Sequence, residues 1–276
     1  MSKGWLITGV SSGIGRLLAE QALLRGDRVV GTVRQSVHAE EFEALCEGRA
    51  VARIVDVTDE ANLNAVVLEA EKILGGIDIL INNAGVGLDG SFEEITSLEF
   101  RACLETNLFG TVSAIRAALP GMRNRLKGDI INIGSGAGLI GLPGLSAYST
   151  AKFAIEGLTE ALAAEVRPFG LRVMVVEPGG FRTGFGGSIA IAANTIEAYD
   201  ATPGRSKRDI WHDYDANQPG DPKKLVDAIL KIIEEPELPI RLIVGKHIYN
   251  LVDQKLKKFS QDMEYYKDIS YSAESD

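Results

Sequence analysis

Apolar residues fall into two alternating patterns along the chain. Short β-branched runs, "WLIT", "RVVGTV", "ARIV", "IDILIN", "DIINIG", "LRVMVVEP" and "RLIV", read as seven strands. Longer stretches of helical period separate them, near residues 13–25, 38–47, 59–74, 97–125, 146–167 and 221–234. Pro120–Gly121 predicts a kink or an end near the C-terminal third of the fourth helix.

Strict alternation of strand and helix predicts a parallel sheet covered on both faces. The expected fold is therefore α/β, a doubly wound parallel seven-stranded Rossmann-type sheet in a single domain spanning 1–276. Two segments depart from the rhythm. Residues 179–220, which include "GGFRTGFGGSIAIAAN", are too long for a plain connection and are expected to form a substrate loop. The tail from about 246 is polar and is expected to fray or to dock on a neighbouring subunit.

Composition narrows the partners. The 276 residues are 45% hydrophobic, enough for a substantial core. With 29 basic and 38 acidic side chains the formal charge is −9, and no basic run forms a phosphate-binding face, which argues against nucleic acid. The opening "MSKGWLITG" lacks a signal-peptide pattern, and no run is long enough to cross a membrane, so a cytoplasmic protein without a membrane partner is expected. Cys46 and Cys103 fall in predicted helices without Cys-x-x-Cys spacing and read as buried thiols. His38, His212 and His247 are scattered, so no metal site is expected.

Candidate chemistry begins at "TGVSSGIG", between the first strand and the first helix. Gly9, Gly13 and Gly15 permit a tight turn and close backbone approach, while Ser11, Ser12, Ile14 and the helix N-terminus face a site suited to a pyrophosphate. The spacing is not that of G-x-G-x-x-G. Asp56 and Val57 end the third strand, where a carboxylate can accept an adenine amino group, and "NNAG", with Asn83, Ala84 and Gly85, ends the fourth. At the end of the second strand stands Arg34, with no acid between Asp27 and Glu40. A guanidinium there suits the 2′-phosphate of NADP(H), whereas NAD calls for an acid.

Tyr148 and Lys152, in "YSTAK", are four residues apart and share one helix face. A neighbouring cation favours phenolate and prepares a phenol for proton exchange near neutral pH. The same spacing also arises from an aromatic ring packed under a lysine stem.

Taken in order, "TGVSSGIG", "NNAG", Asn107, Ser135, "YSTAK" and "PGGFRT" resemble the short-chain dehydrogenase/reductase family, over residues 4 to about 185. The resemblance implies a nicotinamide cofactor and a catalytic tetrad at Asn107, Ser135, Tyr148 and Lys152, with Tyr148 as acid/base. Ser135 would hold the reacting oxygen, Lys152 would bind the nicotinamide ribose and tune Tyr148, and Asn107 would position Lys152 through an ordered water. It also implies nicotinamide-side contacts at Pro178, Gly179 and Thr183, and a homodimer or homotetramer.

Leu139, Ile140, Leu142 and Leu145 follow Ser135, and Phe181, Phe185, Ile189 and Ile191 lie in the long loop. Together they predict an apolar pocket for a small apolar ketone or secondary alcohol. Glycines at 179, 180, 184, 186 and 187 are expected to let the loop close as a lid. Two alternatives are a 3-oxoacyl reductase, for which Arg182 is the one candidate docking cation, and a non-catalytic NADP(H)-sensing regulator, which would have little need of Tyr148 and Lys152 together.

Overall fold

The computed structural model describes residues 2–205 and 217–274. Strands β1 (Gly4–Ile7), β2 (Arg28–Val33) and β3 (Ala50–Ile54) alternate with helices α1 (Gly13–Leu24), α2 (Ser36–Glu43) and α3 (Glu60–Leu74). Then come β4 (Ile79–Asn82), a short β5 (Gly87–Asp89), α4 (Ser97–Leu104), α5 (Gly110–Arg125), β6 (Gly128–Ile133) and α6 (Ser146–Val166). The chain continues through β7 (Leu171–Pro178), a short β8 (Ile189–Ile191), α7 (Pro222–Ile233), β9 (Arg241–Val244), α8 (Lys246–Tyr265) and α9 (Lys267–Tyr271).

Seven strands form one sheet in the order β3-β2-β1-β4-β6-β7-β9, with every pairing parallel. All seven predicted runs are in it. The hydrophobic runs are nearly continuous because both faces are buried, and successive side chains go to opposite cores. Trp5, Ile7, Ile79, Ile81, Ile131 and Ile133 pack on the side of α1 and α7. Leu6, Leu80 and Ile130 pack on the side of α3, α5 and α6. A one-residue slip in any strand would exchange the two sets.

Helix ends follow local chemistry. Asp59 caps α3 by accepting the Asn62 amide, Thr96 and Glu99 form a reciprocal capping box on α4, and Asp221 caps α7, whose second residue is preceded by Pro222. Five apolar residues of α7, Leu225, Val226, Ile229, Leu230 and Ile233, are fully buried. Cutting Ile229 to alanine would cost about 2–5 kcal/mol.

Several expectations are corrected. The predicted fourth helix neither ends at Pro120 nor is continuous α: α5 runs on to Arg125, and the irregularity is a π-helical turn at Glu105–Phe109 that joins α4 to α5 and contains Asn107. Cys46 lies beyond the end of α2 and is half-buried, while Cys103 is buried in α4. The tail is no frayed coil but two helices, α8 and α9. His212 lies outside the described residues.

The long loop is a built element over its described part. β8 pairs in parallel with β5, joining residues a hundred positions apart. Glu94 accepts the amides of Ser91 and Ile196, and Glu99 accepts that of Ala193. These bonds hold Ala193–Ile196 against the segment before α4 and draw Phe185 and Ile189 over the carboxyl edge of the sheet.

Candidate active site

Strand order reverses between β1 and β4, and the loops that leave their carboxyl ends separate there, which opens a crevice. A cavity of about 330 Å³ runs along this edge, from Ser11 and Arg34 at one end to Tyr148 and Phe185 at the other. That is within the range of small-molecule sites, about 300–1,000 Å³.

At one end is the glycine turn. Gly9 and Gly13 have φ of +74° and +60°, which side-chain-bearing residues seldom adopt. Ser12, the residue before α1, makes no capping bond with its side chain, so its hydroxyl does not occupy the first-turn amides of the helix. Gly15 is the one predicted cofactor contact that does not line the cavity. A Cβ there would stand 2.3 Å from the Gly9 carbonyl oxygen and 2.4 Å from Asn83 Nδ2. Gly15 therefore lets α1 sit down on its own turn. Asn83 works from below, its amide donating to the carbonyls of Thr8 and Gly9 at 3.0 and 2.9 Å.

Arg34 is exposed at the end of β2 and has no ion-pair partner among the described residues. Asp56, beside it, accepts the amide and hydroxyl of Thr58 at 2.9 and 2.8 Å through Oδ1. Those bonds, aided by the Arg34 charge, hold its carboxyl below the usual range.

The four residues of the expected tetrad meet at the other end. Lys152 is buried; its Nζ donates to the Ile133 carbonyl at 2.8 Å and lies 5.6 Å from the Tyr148 ring centroid. Burial lowers its pKa to about 8, with the nearby Glu177 opposing the shift. Ser135 leaves β6 in extended conformation, its amide donating to Glu177 and its Oγ accepting the Ala137 amide at 3.2 Å. Asn107, in the π turn, spends its side chain on backbone: Nδ2 donates to Val86 O and Cys103 O, and Oδ1 accepts the Val86 amide. Burial pushes the Cys103 thiol up to about 11, which leaves it un-ionised beside this lysine.

The roof is apolar. Leu142, Leu145, Phe181, Phe185 and Ile189 line the cavity as expected, and the Phe185 ring lies 5.6 Å from that of Tyr148. Leu139, Ile140 and Ile191 do not line it. Val86, Gly87 and Thr106 do, though they belong to no motif visible in the sequence. The alternation in "SIAIAA" was the available signal for β8, and hence for β5 opposite it. Thr183 closes the far side, with its carbonyl oxygen 3.0 Å from where a Cβ on Gly13 would stand. No group of three or more metal-binding side chains, and no helix long and apolar enough to span a membrane, occurs among the described residues.

A glycine turn at a helix N-terminus and a crevice at the strand switch define the dinucleotide-binding class of α/β fold, and a buried lysine beside a tyrosine lies at the end of that crevice. Residues 3–193 match the family model for short chain dehydrogenases, and the chain belongs to the short-chain dehydrogenase/reductase family. It is 37% identical to a 3-ketodihydrosphingosine reductase of Bacteroides thetaiotaomicron, over 97% of each chain. A short-chain dehydrogenase structure from Streptomyces avermitilis superposes with a TM-score of 0.91 at 37% identity, covering both chains fully. ElxO, solved with NADP bound, superposes with a TM-score of 0.74 at 27% identity over 91% of this chain and 100% of its own.

Proposed function

We propose that this protein is a cytoplasmic NADP(H)-dependent oxidoreductase that interconverts an apolar ketone and the corresponding secondary alcohol, with Tyr148 as acid/base. The observation that carries this reading is the convergence of Tyr148, Lys152 and Ser135 beneath an apolar roof, at one end of a cleft whose other end offers free helix amides and Arg34. The glycine turn and the length of the cleft fit a dinucleotide. Gly9, Ser11, Ser12, Gly13 and Ile14 would hold its pyrophosphate, and Arg34 its 2′-phosphate. Asp56, Val57, Ala84 and Gly85 would flank the adenosine half, and Pro178, Gly179 and Thr183 the nicotinamide. When bound, the reduced nicotinamide supplies the hydride.

The protein supplies the rest. Ser135 Oγ donates to the substrate carbonyl oxygen, and Tyr148 gives that oxygen its proton as negative charge develops there. Lys152 holds the ribose hydroxyls and favours the phenolate that remains. The π turn around Asn107 keeps the floor of the site rigid through Val86. Phe181, Phe185 and Ile189, on the substrate loop of residues 179–220, exclude water from the reacting carbon.

One observation favours an apolar ketone over an acyl-carrier substrate: apart from Arg34 and Lys152, no lysine or arginine among the described residues lines the cleft. A homodimer or homotetramer is supported by Leu256, Phe259 and Met263, which recur at three- and four-residue spacing on α8 and are exposed. Sedimentation of wild type against Leu256→Glu tests the assembly.

The catalytic reading is tested by following NADPH absorbance with a panel of long-chain apolar ketones. Turnover is expected in the wild type and a loss of at least about a thousandfold in Tyr148→Phe, with NADPH affinity retained. Full activity in Tyr148→Phe would overturn it.

A further inference from the structure

Glu177, the residue before the last in β7, is fully buried and does not line the cleft. Its Oε2 accepts the Ser135 amide at 2.8 Å, and its Oε1 occupies the space that a side chain on Gly134 would need, 2.1 Å from where that Cβ would stand. On its far side is Glu156 of α6, 6% exposed, whose Oε2 is paired with Arg241 of β9; Arg241 also holds Glu160. Glu156 is close enough to raise the Glu177 pKa, and the Oε1 atom of each carboxyl is buried without a hydrogen-bond partner. Ionising two neighbouring buried carboxyls together is costly, whereas a proton on one of them gives an orphaned oxygen a hydrogen to donate. Arg241 stabilises charge on Glu156, so the proton belongs to Glu177.

We propose that Glu177 is a positioning residue that acts as a neutral acid: it fixes the amide of Ser135 from beneath and leaves the charge of Lys152 uncompensated, free to act on Tyr148. This rests on the catalytic reading given above. The groups that face Glu177 are Lys152 and Glu156 from α6, with Arg241 from β9 behind Glu156; the Ser135 turn contributes an amide and no charge. Burial and Glu156 raise the Glu177 pKa to about 9, opposed by the Ser135 amide and Lys152. Were Glu177 ionised at neutral pH, it would neutralise Lys152 and weaken the field on the phenol.

The infrared difference spectrum between wild type and Glu177→Gln tests the protonation state without reference to turnover. At pH 7 the wild type should show a protonated-carboxyl carbonyl band that the variant lacks, and the band should fade as pH passes about 9. In Glu156→Gln, which removes the neighbouring anion, it should fade at lower pH. Kinetics test the positioning role. The neutral isostere Glu177→Gln should keep kcat within about threefold at pH 7 while losing an ionisation from the alkaline limb. Glu177→Leu, which leaves the Ser135 amide unpaired, should lower kcat about ten- to a hundredfold with NADPH affinity near wild type. Absence of the band at pH 7, or equal damage from Gln and Leu in folded variants, would overturn the proposal. Should Glu177→Leu fail to fold, the band and the Gln profile still decide. An active Tyr148→Phe would instead sink the catalytic reading and leave the infrared result standing.

Discussion

The side chain of Asn107 holds both backbone groups of Val86, accepting its amide at 3.2 Å and donating to its carbonyl at 2.9 Å. One carboxamide thereby pins the link between β4 and β5 to the π turn. Asn107→Ala leaves these backbone groups without their partner, at about 1–3 kcal/mol for each that stays buried and unpaired. Urea denaturation should show a loss of roughly 2–4 kcal/mol. Turnover should fall by more than stability alone accounts for. An unchanged denaturation midpoint would refute the pinning role.

Lys152 is a buried cation, and its position works against the fold. Its folded pKa of about 8 lies below the value of 10.5 expected when exposed. Between these values the unfolded chain binds the extra proton, so stability rises with pH through that window, and the cost is fully present below about 8. Lys152→Met should therefore be inactive yet more stable at pH 7, by a few kcal/mol at most, with the gain shrinking as pH is raised toward 10.5. Thermal melts of both proteins across this range check the sign.

Cofactor preference should follow Arg34. Arg34→Asp removes the cation facing the 2′-phosphate and offers an acceptor to a ribose hydroxyl, so the ratio of kcat/KM for NADPH to that for NADH should drop by at least about a hundredfold. An unchanged ratio, or a wild type that prefers NADH, would remove Arg34 from the proposed role.

Gly15 makes a different demand, because it supports the cradle without lining it. In Gly15→Ala the new methyl meets the Gly9 carbonyl and Asn83 Nδ2, neither of which can retreat without breaking the turn. NADPH affinity should fall by about tenfold or more, and stability by about 1–3 kcal/mol. Gly157→Ala, where a Cβ meets nothing within 4 Å, should be neutral or mildly stabilising and serves as the control. Isothermal titration and melting of the two variants separate the effects.

What the sequence determined by itself is whatever depends on neighbours along the chain. Seven β-branched runs became the seven strands of one sheet because strand formation and two-sided burial leave a local mark. The glycine turn, and a tyrosine four residues before a lysine on one helix, were legible for the same reason. The π turn at Asn107 left no such mark, and Pro120, the one visible helix-breaker, lies inside a continuous α5. Pairing of β5 with β8 joins segments a hundred residues apart, too short to be strands except against each other. The acid at 177 looked like one more residue of a strand. Only the packed structure, by burying it near Glu156, raises its pKa, because the energy of a buried charge depends on its surroundings in space and not on its neighbours in sequence.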